Sequence, residues 1–180
     1  ILPPAFAELL ERLRDNAHHM PPKQLRAVLD ENWGRGWLQK FERFDVRPIA
    51  AASIGQVHRG RTKDGRDVAI KIQYPGVRES IDSDVDNVAS LIKISGLMPK
   101  GADIRPLLEE AKAQLHEEAD YEREGAYLEK YQQALGENDA FAIPGLHRDL
   151  TTKNVLAMDL MSGVPVESLA EEGQDIRNHV

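Results

Sequence analysis

The chain has 180 residues and no cysteine, with 23 Lys+Arg against 30 Asp+Glu and a net charge of −7. Disulfides, thiolate metal sites and cysteine nucleophiles are excluded, and the acidic balance argues against a general nucleic-acid binder. At 41% hydrophobic and 29% charged, the composition is that of a globular protein able to bury roughly 70% of its unfolded surface. Apolar runs are only a few residues long, so no transmembrane helix is expected, and no stretch reads as a signal or transit peptide. The chain starts at Ile1 and stops at Val180 just after a helical pattern, so it is expected to be a piece of a longer protein.

Residues 1–34 predict a helical hairpin. Phe6, Leu9, Leu10 and Leu13 form one apolar stripe,. Pro21-Pro22 opens a second helix with Leu25, Val28 and Leu29 on its buried face, and Gly34 and Gly36 end it,. Trp33, Trp37, Phe41 and Phe44 are expected to anchor a packing surface,. His18-His19 reads as a solvated turn, since no third ligand accompanies it,.

Val57 opens a strand, Lys63-Asp64-Gly65 signals a hairpin turn, and Val68, Ile70 and Ile72 alternate with Ala69, Lys71 and Gln73,. Lys71 thus lies on the face opposite the β-branched residues. Tyr74-Pro75-Gly76 ends the strand. Helical spacing returns over 79–96 through Ile81, Val85, Val88, Leu91 and Ile92, with Ser80 or Asp82 as cap,. A linker at 96–101 precedes Ile104, Leu107, Leu108, Ala111 and Leu115, which predict one helix running to about Leu135,. Residues 154–160 read as a strand, and a last helix is expected from Val166.

The stretch Ala50-Ala-Ala-Ser-Ile-Gly-Gln-Val57 lies between two predicted strands. Compared with the kinase loop G-x-G-x-x-G-x-V, Gly55 and Val57 match, while Ala50 and Ala52 stand at the first two glycines,. Val68-Ala-Ile-Lys71 reads as the kinase lysine strand,. In that arrangement the loop covers the nucleotide phosphates and the lysine pairs with them. Alanine keeps the loop small but lacks glycine's freedom at φ > 0, so a stiffer loop is expected.

Ala50–His58, Ile72-Gln-Tyr-Pro-Gly-Val77 and Ser83-Asp-Val-Asp-Asn87 resemble the UbiB family of atypical, protein-kinase-like proteins, the aarF-domain kinases tied to ubiquinone biosynthesis. Glu118-Ala-Asp120 resembles the family's E-x-D motif, Glu124 the glutamate that orients the lysine, and Val155–Pro165 the hinge. The resemblance implies an α+β fold: a protein-kinase-like N-lobe with a small antiparallel sheet, an N-terminal helical hairpin and inserted helices. It divides the chain into an N-terminal extension over 1–45 and a lobe over 46–180, with the insertion at 76–103 and no C-lobe.

It also implies ATP or ADP bound by Ala50, Ala51, Ala52, Ser53, Ile54, Gly55, Gln56, Val57, Ala69 and Lys71, and by the backbone near Met158–Met161, with Asp159 and Met161 at the base. Lys71 and Glu124 are the expected catalytic pair, and Glu118 and Asp120 a regulatory motif. Magnesium ligands are expected in the missing C-lobe, so the fragment alone is not expected to transfer phosphate. Ubiquinone-biosynthesis proteins and membrane lipids are the implied partners. The implied location is cytoplasmic, peripheral at an inner membrane. A non-catalytic adaptor is the alternative. A distant third is a carboxylate metal hydrolase on His116, Glu117, Asp120 and Glu124.

On a regular helix two residues span about 200°, so Glu118 and Asp120 face one cation only if the helix breaks or bends. His147-Arg-Asp-Leu-Thr-Thr-Lys-Asn154 matches the kinase catalytic-loop pattern letter for letter,. No D-F-G follows, and Asp159 is too near Asn154 for the intervening hairpin,. The catalytic reading is therefore declined, and the family resemblance instead implies that Asp149–Asn154 is the turn before the hinge strand.

Overall fold

The computed structural model describes residues 20–95, 103–136 and 141–163. The stripe Phe6–Leu13, His18-His19, the linker at 96–101 and the helix expected from Val166 lie outside the described residues.

Helix α1, Pro22–Trp33, starts on a proline whose missing N–H is no loss in the first turn and stops at Gly34, where φ is 79°. It buries Leu25, Val28 and Leu29. Trp33, Trp37, Phe41 and Phe44 pack ring to ring beneath it, with centroid separations from 4.9 to 6.0 Å, and Phe44 stacks on His58 at 5.4 Å. The aromatic anchor expected from the sequence is there, and Phe41–Phe44 also forms strand β1.

Strands β2 (Ala50–Ala52), β3 (Gly55–Thr62), β4 (Asp67–Gln73) and β5 (Val155–Asp159) complete one antiparallel sheet ordered β1-β3-β4-β5, with β2 paired to β3. Cross-strand partners share a face. Val57, Lys71 and Leu156 form one row, and Arg59, Ala69 and Met158 the next. The opposite face carries Val68, Ile70, Ile72, Val155 and Ala157, all fully buried in a core with α1 and the aromatics. The alternation read from the sequence therefore sets Lys71 on the face away from that core.

Helix α2, Val77–Ser95, begins two residues earlier than expected, directly after Gly76 at φ 81°. Ser80 and Asp82 therefore lie within it, and Ser80 donates to the carbonyl of Val77 instead of capping. The single helix expected from 104 to 135 is two: α3, Arg105–Glu118, and α4, Tyr121–Leu135. Asp120 leaves helical geometry (φ −105°, ψ 93°), and its carboxylate accepts the amide of Arg123. That is an N-cap. Ala119 and Tyr121, either side of it, are fully buried. The cap and this inward pull outweigh the helical propensity of the sequence. The match to the catalytic loop is a turn, as expected, with Leu150 N–H bonded to His147 O. It feeds β5, which also pairs along its outer side with the 145–147 segment.

Candidate functional site

Lys71 projects from mid-β4 on the face of the sheet opposite the main core, where α4 packs against Leu156 of β5. Its Nζ donates to both oxygens of Glu124, at 2.9 and 2.8 Å, and lies 4.6 Å from the ring centre of Tyr121. Both partners come from the first turn of α4, where the helix dipole favours a carboxylate, and the Asp120 cap fixes where that turn begins. The expected Lys71–Glu124 pair is therefore formed across 53 residues of sequence. Tyr121 is fully buried, and its hydroxyl has no partner among the described residues. Burial, then the nearby Glu124 charge, pushes that hydroxyl well above its ordinary value, so it stays protonated,.

A cavity of about 480 Å³ opens at this pair, lined by Ser53, Ile54, Lys71, Glu117, Glu118, Arg123, Glu124 and Tyr127. Its upper wall is the turn Ser53-Ile54 between β2 and β3. The alanines are extended and paired: Ala50 with Val57, Ala51 with Gln56, Ala52 with Gly55. Positive φ is confined to glycines among the described residues, so this is a tight hairpin. A glycine-rich open loop would be freer. Gly55 is required by close approach, since a Cβ there would stand 2.2 Å from the carbonyl oxygen of Ile72.

The expected contact residues separate by face. Val57, Ala69 and Met158 share the face of Lys71. The side chain of Gln56 faces the other way, accepting from Met20 N–H at 2.8 Å and meeting His58 Nε2 at 2.7 Å. The carboxylate of Asp159 is also on the far face, held by Gly145 N–H at 2.7 Å and His147 at 3.0 Å. Only the main chain of Gln56 and Asp159 is on hand. Met161, just beyond β5, is exposed.

The E-x-D motif is divided by the helix break. Glu118 lines the cavity at the end of α3, while Asp120 caps α4 and pairs with Arg78 of α2 at 3.3 Å. The four groups of the metal-hydrolase reading are drawn to different partners: His116 to Asp82, Glu117 to Arg123, Asp120 to Arg78 and Glu124 to Lys71. Among the described residues, three or more His, Asp or Glu side chains nowhere gather as for a metal ion. Sequence reasoning missed Tyr121, Arg123 and Tyr127. Arg123 pairs with Glu117 at 2.9 Å and lies over the Tyr127 ring. Tyr127 follows Glu124 at i+3, and that helical spacing was the available signal.

Residues 12–179 match the ABC1 atypical kinase-like domain. The chain belongs to that family. The family resemblance carried by the alanine motif is thus established, and the sheet and lysine–glutamate pair fit a kinase-like N-lobe. The chain is similar to the mitochondrial atypical kinase coq-8 of Caenorhabditis elegans, 40% identical over 99% of this chain and 24% of that protein. It is also similar to the mitochondrial atypical kinase COQ8 of Saccharomyces cerevisiae, 39% identical over 100% of this chain and 36% of that one. Among solved structures, Rv3197 of Mycobacterium tuberculosis in complex with erythromycin superposes with a TM-score of 0.74 at 29% identity, covering 98% of this chain and 45% of that one. This ABC1-family chain thus spans about a quarter to a third of the curated relatives it matches.

Proposed function

We propose that this ABC1-family lobe binds ATP or ADP, with the phosphates between Lys71 and the Ser53-Ile54 turn and the base against Val57, Ala69 and Met158. The main chain from Asp159 to Met161 is the hydrogen-bonding edge for the base. The observation that carries this reading is Lys71 Nζ, clamped by Glu124 at 2.8 Å and by the Tyr121 ring at the wall of a cavity beneath the alanine hairpin. A compact ammonium in that position suits phosphate oxygens, and Glu124 fixes its direction as phosphoryl-transfer sites require.

Magnesium prefers oxygen ligands and is commonly held by one or two carboxylates plus substrate phosphates. Glu118 at the cavity supplies such oxygens, the carboxylate of Glu117 being paired with Arg123. A single carboxylate fits an ion shared with the nucleotide and with ligands from a second lobe, so transfer of phosphate is proposed for the longer protein and not for this chain alone. Mg²⁺ would neutralise phosphate charge there. Following the family, ubiquinone-biosynthesis proteins and membrane lipids are the proposed partners, and an inner-membrane surface the proposed location. No helix among the described residues is long and apolar enough to cross a membrane.

Thermal shift separates nucleotide binding from an adaptor role. ATP or ADP at a hundredfold excess over Kd should raise stability by about 2.7 kcal/mol, and Lys71→Ala should abolish the shift. A wild type that nucleotide leaves unmoved would favour the adaptor.

A further inference from the structure

The nucleotide reading leaves one motif without a role, the turn His147-Arg-Asp-Leu150. Its charged groups are not idle. Asp149 takes the Arg66 guanidinium with both oxygens, each at 2.9 Å. Arg66 leaves the β3–β4 turn, and its Nη1 also donates to His147 Nδ1 at 3.1 Å. That bond makes Nδ1 an acceptor and assigns the ring proton to Nε2. Nε2–H then donates to Asp159 Oδ1 at 3.0 Å. The other oxygen of Asp159 accepts Gly145 N–H at 2.7 Å. A Cβ on Gly145 would stand 2.6 Å from that oxygen, so the position admits glycine alone without a shift.

The chain Asp149–Arg66–His147–Asp159 joins the β3–β4 turn, the 145–150 segment and the outgoing end of β5. Asp159 is the last residue of the β4–β5 ladder, and Leu160 N–H bonds only as far as Asp67 O. The network approaches from the core side of the sheet, opposite Lys71, so it reaches a nucleotide only through β5.

We propose that Arg66, His147 and Asp149 are positioning residues that brace the end of β5 and thereby set the base-reading edge of the site. The second half of this proposal rests on the nucleotide reading above. An exposed ion pair alone does little, but here a bidentate arginine is shared with a His147 side chain only 12% exposed, and bidentate geometry fixes direction as well as distance.

Two measurements on the full chain test it, in wild type, Arg66→Gln, His147→Ala and Asp149→Asn. The first is amide hydrogen exchange without ligand. The brace predicts that Asp159 and Leu160 amides exchange about tenfold faster in each variant, with Ile70 and Ile72 unchanged. Unchanged exchange at Asp159 and Leu160 overturns it, and so does uniform acceleration across the sheet, which marks general destabilisation. The second compares ADP with inorganic tripolyphosphate by calorimetry. ADP affinity should fall about tenfold while tripolyphosphate stays within about twofold, because the brace acts on the base and not on the phosphates. Equal losses for both, or none, overturn the base-setting half. If wild type binds no ADP, that half falls with the nucleotide reading, and hydrogen exchange alone decides the brace. Asp149→Asn guards against a misfolded His147 variant, since Asp149 is exposed and its replacement keeps its shape.

Discussion

The Lys71 ammonium is held from two directions, by a carboxylate and by the face of an aromatic ring. The carboxylate partner is the replaceable part of the clamp, being 41% exposed. Glu124→Gln should therefore leave the fold intact but release Lys71, weakening ATP affinity about tenfold in a calorimetric titration. Tyr121 is different: its ring supports the cation while its hydroxyl is buried unpaired. An unsatisfied buried hydroxyl costs ~1–3 kcal/mol, so Tyr121→Phe should raise the thermal midpoint by several degrees and keep nucleotide affinity, whereas Tyr121→Leu should lose both. A lower midpoint in Tyr121→Phe would mean that the hydroxyl has a partner in solution. In the β3–β4 turn, hydrogen bonds from Arg66 and then from the Thr62 hydroxyl hold Asp64 at about 2. A carboxyl depressed in this way stabilises the fold fully above its unfolded pKa, ~3.9, and the contribution is lost as pH falls through the folded value. A carboxyl-carbon NMR titration should place Asp64 near 2 in wild type and return it toward ~3.9 in Arg66→Gln, with no effect on the turn between pH 5 and 8. Lys71 and Glu124 were legible because strand alternation and a motif named them. Tyr121 and Arg123 were not, since their roles depend on where α4 starts, which a cap decides.

At the scale of elements, the break between α3 and α4 does most to shape the site. Periodicity runs on from Ile104 through Leu115 toward Leu135, so the sequence reads as one helix. The conflict between Glu118 and Asp120, about 200° apart on such a helix, was the visible sign that it could not serve as one. Asp120→Ala removes the N-cap and the partner of Arg78. It should cost about 1–2 kcal/mol, measured by urea unfolding, and shift the Glu124 amide by NMR. Strand β1 was hidden for another reason: Phe41 and Phe44 follow Trp33 and Trp37 so closely that packing, not pairing, explains the pattern. The alanine hairpin tests stiffness. Ala52 sits in extended geometry opposite Gly55, and Ala52→Gly should lower stability by roughly 0.5–1 kcal/mol while changing the ratio of ATP to ADP affinity. Equal ratios in calorimetry would show that hairpin freedom does not set the preference.

Over the whole molecule, one face of the sheet buries the core and the other carries the site. That division was readable from Val68–Ile72, because in a half-buried strand the period of two leaves no choice of face. The orientation of Gln56 and Asp159 was not readable, since membership of a motif gives no face. The same two-faced sheet gives the central claim its most direct test. With methyl groups of Ala and Met labelled for NMR, ADP added to the chain should shift Ala52, Ala69 and Met158, which lie at the hairpin and on the Lys71 face. It should leave Ala27 on α1 and Ala89 on α2 unmoved, and Lys71→Ala should weaken the whole response. Shifts centred on Ala27 or Ala89, or no shifts at saturating ADP, would contradict the account.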